Sequence, residues 1–74
     1  DLVRKFKITG FKDQYLAARL ISIGIYPGKS FIIIRKAFLG GAYFIELEGI
    51  HFALREDEMK QILTLEIEET ANEQ

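Results

Sequence analysis

The chain has 74 residues, no cysteine and a formal net charge of −1. That length allows one domain, and the missing thiols exclude a disulfide framework, a thiolate zinc site and a cysteine nucleophile. The apolar cluster Phe31 to Ile34, which no other run exceeds, falls far short of the ~18 residues that cross a bilayer, and no basic-then-apolar start reads as a signal peptide.

The first predicted strand is Leu2 to Thr9, where Phe6 and Ile8 alternate with Lys5, Lys7 and Thr9, a half-buried pattern. A helix follows. Asp13 is its expected N-cap, because a carboxylate accepts from the free amides of the first turn. Leu16, Leu20 and Ile23 fall at i, i+4 and i+7 and predict one apolar stripe. Gly24 stands where a left-handed C-terminal residue is wanted. Tyr26-Pro27-Gly28 predicts a turn, with proline presetting φ and glycine accepting a positive one.

From Phe31 to Ala37 the period is two. Phe38-Leu39-Gly40-Gly41 forms a loop, its paired glycines supplying unusual backbone angles. Tyr43 to Leu54 predicts a hairpin. A two-residue turn at Glu48-Gly49 sets Leu47 against Ile50, Ile45 against Phe52 and Tyr43 against Leu54, all on the inner face. Glu46 then faces His51, and Phe44 faces Ala53, on the outer one. Glu56 to Gln61 is a short helical turn with acids at its start, where the dipole favours them. The last strand is Ile62 to Glu68, with Leu63, Leu65 and Ile67 expected inside. Residues 69–74 are polar and form a frayed tail beyond a single domain of residues 2–68.

Five short strands, one helix between the first two and a helical turn before the last suit a small closed barrel, since closure removes exposed edges. Residues 1–36 carry eight basic and two acidic side chains, and residues 37–74 carry two basic and nine acidic ones. The barrel explains the asymmetry if the halves face each other, with Lys5 and Lys7 set against Glu66 and Glu68 on neighbouring terminal strands. An open barrel edge would admit a second copy, so a homodimer is compatible with this architecture.

An ordered set of short pieces runs through the chain: Arg19-Leu20, Gly24-Ile25-Tyr26-Pro27-Gly28, Ala37-Phe38-Leu39-Gly40-Gly41, Ala53-Leu54-Arg55, Glu58 and Ile62. The set resembles the pattern of the ferrous iron transport protein A (FeoA) family, with Phe38 and Ala42 standing where the family has loop prolines. The resemblance implies a mainly-β, SH3-like barrel and a non-enzymatic accessory role in bacterial iron(II) uptake. It also implies a cytoplasmic location and a partner, the membrane GTPase transporter FeoB, which would recruit the chain to the inner face of the membrane. The same barrel is similar to the C-terminal domain of iron- and manganese-dependent repressors, which makes a metal-responsive regulatory domain one alternative reading; an RNA-binding barrel is the other.

The residues themselves argue against catalysis. There is one histidine, no phosphate loop of the GxxxxGK type, and little room in so short a barrel for a deep pocket. Glu46 and His51 are one carboxylate and one imidazole, part of a site for a divalent transition metal such as Fe2+ or Zn2+. Stable sites take three or four protein ligands, with Glu48 the candidate third. Read without metal, the two are an exposed pair worth well under ~1 kcal/mol. Partner binding is expected at Phe38, Leu39, Gly40 and Gly41, because apolar residues at a loop tip mark interfaces, with Tyr26 as an added candidate. A nucleic-acid patch of Arg4, Lys5, Lys7, Lys12 and Lys29 is the rival from another class. The acidic half compensates it, so no nucleic-acid partner is expected.

Overall fold

The computed structural model describes residues 2–70. In chain order they form β1 (Leu2–Phe11), α1 (Ala18–Ser22), β2 (Ser30–Lys36), β3 (Tyr43–Leu47), β4 (Ile50–Leu54), α2 (Glu56–Met59) and β5 (Ile62–Thr70). The strands make one antiparallel sheet in the order β4-β3-β2-β1-β5. This is the expected five-stranded SH3-like architecture, with its helix and helical turn in the expected places. No hydrogen-bonded ladder joins β4 to β5 among the described residues. The expected ladder closure of the barrel is therefore not seen, and the two outer strands share only a core. Leu54 of β4 and Ile62 of β5 are buried in one core with Ile8, Ala17, Leu20, Ile25, Phe31, Ile45 and Leu47. The Phe6 and Phe31 rings stack with centroids 5.7 Å apart.

The β3–β4 hairpin has the expected register at all its pairs, from Leu47–Ile50 to Tyr43–Leu54. Glu48 and Gly49 both take positive φ, +52° and +83°, which gives the turn the twist of the flanking strands. The Pro27-Gly28 turn also forms, with Gly28 at φ +97° and Lys29 N–H donating to Tyr26 O at 3.2 Å.

Helix α1 departs from the expected stripe. Asp13 Oδ1 does accept from the amides of Tyr15 (2.9 Å) and Leu16 (3.3 Å), but regular helix begins only at Ala18. The buried positions are Ala17 and Leu20, while Leu16 is 62% exposed and Ile23 partly so. The reason lies at the helix end. Ile25 N–H donates to Leu20 O (2.9 Å) and Gly24 N–H to Ile21 O (3.1 Å), the paired bonds of a Schellman cap. That cap drives Ile25 into the core beside Leu20, so Ile25 completes the buried face and Ile23 does not.

Strand β5 is also turned over relative to the expectation. β1 has one extra residue, Thr9, between its pairings Ile8–Thr64 and Gly10–Leu63, and Thr9 Oγ1 donates to Leu63 O at 3.1 Å. On this bulged register Ile62 pairs with Phe11 and is buried, whereas Leu65 pairs with Lys7 and is 60% exposed. Lys5 and Lys7 therefore pair with Ile67 and Leu65 rather than with the expected Glu66 and Glu68. Opposite charges still meet across the terminal strands, through Arg4 Nε and Glu66 Oε2 at 2.6 Å. The strand also runs further than expected: Glu69 and Thr70 pair with Val3 and Leu2, so the polar tail does not begin at residue 69. Residues 71–74 of that expected tail lie outside the described residues.

Candidate functional site

The loop between β2 and β3 presents Phe38 and Leu39 to solvent, 97% and 81% exposed. Its base is fixed. Ala37 N–H donates to Ala42 O at 2.7 Å, and Gly40 and Gly41 hold φ of +91° and +67°, a backbone that L side chains adopt at a cost. A methyl on Gly41 would stand 2.9 Å from Glu56 Oε1 and 3.2 Å from Glu56 Cβ. The loop thus lies against the start of α2, and neither large side chain folds back as a plug.

Helix α2 in turn is tied to α1. Glu58 Oε1 accepts from the Arg55 amide at 2.9 Å, and its other oxygen lies 3.2 Å from Arg19 Nε. One carboxylate thereby caps α2 and fixes α1 against it. Leu16, Arg19, Arg55, Asp57, Glu58 and Gln61 line a shallow groove between the two helices. Sequence reasoning missed this arrangement. The signal available was only that Arg19 and Glu58 carry opposite charges on the two predicted helical segments.

Tyr26 stands elsewhere. It precedes β2, and the loop follows β2. Its ring lies under Lys29 Nζ, 5.2 Å from the centroid, and that ammonium bonds Glu48 Oε1 at 2.8 Å in the β3–β4 turn. Phe38, Leu39, Gly40 and Gly41 therefore form one surface, and Tyr26 lies at the opposite end of the sheet. Glu46 and His51 do meet, with Oε1 and Nε2 3.5 Å apart on the outer face. Glu48 is not with them, being engaged by Lys29. Among the described residues no three His, Cys, Asp or Glu side chains gather as a metal site. Of the basic residues weighed as a nucleic-acid patch, Arg4 and Lys29 are held by Glu66 and Glu48. Each pairing shifts the titration of one of its members. The Arg4 hydrogen bond holds the Glu66 carboxyl below its ordinary value, and the Glu48 hydrogen bond raises Lys29.

The model of the FeoA domain matches residues 3–64. The chain belongs to the FeoA family. The family's role lies in ferrous iron transport. The fold agrees: the solution NMR structure of a protein from Pseudomonas aeruginosa is similar at a TM-score of 0.70 and 28% identity, over 86% of this chain and 89% of that one. Family membership also makes sense of the internal ties described above. The Arg19-Leu20 and Ala53-Leu54-Arg55 segments, far apart in sequence, each put a leucine in the common core. They also supply Arg19 and the Arg55 amide to the same glutamate, Glu58. Among the described residues no helix is long and apolar enough to cross a membrane.

Proposed function

We propose that this FeoA-family chain is a non-enzymatic accessory of iron(II) uptake that docks on the cytoplasmic part of the FeoB transporter through the Phe38-Leu39 loop. The observation that carries the reading is the exposure of two adjacent large apolar side chains on a loop whose backbone is already fixed. Burying such a side chain at an interface is worth about 1.5–3 kcal/mol. A pre-set backbone loses little entropy when it binds. The transporter itself is the partner that the family's pathway supplies.

The test is a binding titration against the purified cytoplasmic region of the transporter. Phe38→Ala and Leu39→Ala each weaken binding tenfold or more, since 1.4 kcal/mol is a factor of ten. Their melting temperatures stay at the wild-type value, because neither side chain packs in the core. Tyr26→Ala, at the other end of the sheet, leaves the affinity unchanged. Wild-type affinity in both loop variants would refute the docking site.

A further inference from the structure

The Glu46–His51 pair stands beside a free sheet edge. β4 is an outer strand, with β3 on one side and, among the described residues, no ladder on the other. A two-residue turn makes Leu47–Ile50 the first hydrogen-bonded pair of the hairpin. Ile50, Phe52 and Leu54 then direct their main-chain groups at β3, while His51 and Ala53 direct theirs outward. Natural edges are guarded by charge, proline or a bulge. β4 reads Ile50-His51-Phe52-Ala53-Leu54, without Lys, Arg, Asp, Glu or Pro, and its register with β3 is unbroken. The opposite edge, β5, is rich in glutamate and would repel its own copy. The β4 edge would not.

The pair itself has the spacing of metal ligands. His51 Nε2 and Glu46 Oε1 are 3.5 Å apart, longer than a good N–H···O hydrogen bond of about 2.7–3.2 Å. Two ligands on a tetrahedral zinc, with bonds of about 2.0–2.1 Å, stand about 3.3 Å apart. The His51 side chain is 74% exposed, so its ring is open to an ion. One chain supplies two ligands where a closed site takes four.

We propose that a second copy of this chain pairs antiparallel along β4, and that the two Glu46–His51 pairs jointly hold one divalent transition metal ion of the Zn2+ or Fe2+ type at the seam. A two-fold axis at Phe52 sets His51 of each copy opposite Ala53 of the other, which satisfies every outward main-chain group of both residues. The two His51 side chains are then diagonal neighbours on one face, about 7–8 Å apart, a gap that one ion bridges through two imidazoles. Two carboxylates neutralise the dication, and two neutral imidazoles complete a mixed nitrogen–oxygen set that suits such ions.

The experiment is a Zn2+ titration of the purified chain followed by sedimentation velocity, repeated with Co2+ for its visible spectrum. The expected result is one ion per two chains, a doubling of mass that a chelator reverses, and the intense visible bands of four-coordinate Co2+. His51→Ala and Glu46→Gln, both on exposed positions, lose the mass change and bind at least tenfold more weakly. Ala53→Pro removes an outward amide at an edge position where proline is tolerated and weakens metal-dependent dimerisation at least tenfold. Should that variant melt early, the two ligand variants carry the test alone. One ion per chain without a change in mass overturns the proposal. So does wild-type dimerisation in His51→Ala, or dimerisation that ignores metal altogether.

Discussion

Leu16 and Leu20 lie one helical turn apart, yet the fold treats them oppositely. Leu20 is wholly buried among Ile8, Ala17 and Ile25, and Leu16 faces solvent at the rim of the groove. Leu20→Ala deletes buried methyl groups and leaves a cavity, a loss of about 2–5 kcal/mol. Leu16→Ala changes stability by less than ~0.5 kcal/mol, as surface substitutions do. Urea unfolding of the two variants checks this, and equal losses would return Leu16 to the core. An i, i+4, i+7 count cannot make the distinction, because it presumes a helix that runs unbroken from Asp13. Here the first turn is held by the Asp13 side chain and only five residues are regular helix. The small side chain of Ala17 reaches the core in place of Leu16.

At the scale of elements, the two helices depend on one residue. Glu58→Ala removes the acceptor for the Arg55 amide and the partner of Arg19, and its side chain is only 13% exposed. A lost cap costs about 1 kcal/mol and a surface ion pair about 0–1 kcal/mol, so the variant is destabilised by about 1–2 kcal/mol. Glu58→Gln retains an acceptor for the amide and loses only the charge, so it falls by less than ~1 kcal/mol. Thermal melts of the pair separate the two contributions. Elements were legible in the sequence where local chemistry decides them. The Glu48-Gly49 turn fixes the β3–β4 register, and Gly24 and the Pro27-Gly28 turn sit where their φ angles demand. Strand β5 was not. Alternation of Leu63, Leu65 and Ile67 distinguishes two faces without saying which one meets the core, and the Thr9 bulge in its partner strand decides that from a distance. The candidate site divides in the same way. Local composition put Phe38 and Leu39 at an apolar loop tip, whereas Glu48 was placed by Lys29, which no spacing rule connects to it.

Across the whole molecule, the division into a basic first half and an acidic second half is resolved inside the fold. Arg4–Glu66, Arg19–Glu58 and Lys29–Glu48 each join one half to the other. Two of these pairs set opposite limits in pH. The Arg4 hydrogen bond lowers the Glu66 carboxyl below its ordinary value of 4.5, so its contribution to stability is complete above that value. It is lost as pH falls through the lowered folded one. The Glu48 hydrogen bond raises Lys29 above 10.5; that contribution is complete below 10.5 and is lost as pH rises through the raised value. Both groups face solvent, so each effect is small and is screened by salt. Glu66→Gln therefore lowers the melting temperature by a constant amount on the neutral side of pH 4.5, and the difference from wild type vanishes in stronger acid. Glu48→Gln gives the mirror image on the alkaline side. Melting curves across pH at low ionic strength read both limbs. A Glu66→Gln difference that persists unchanged into acid would show that the Arg4 pair does not hold the terminal strands together.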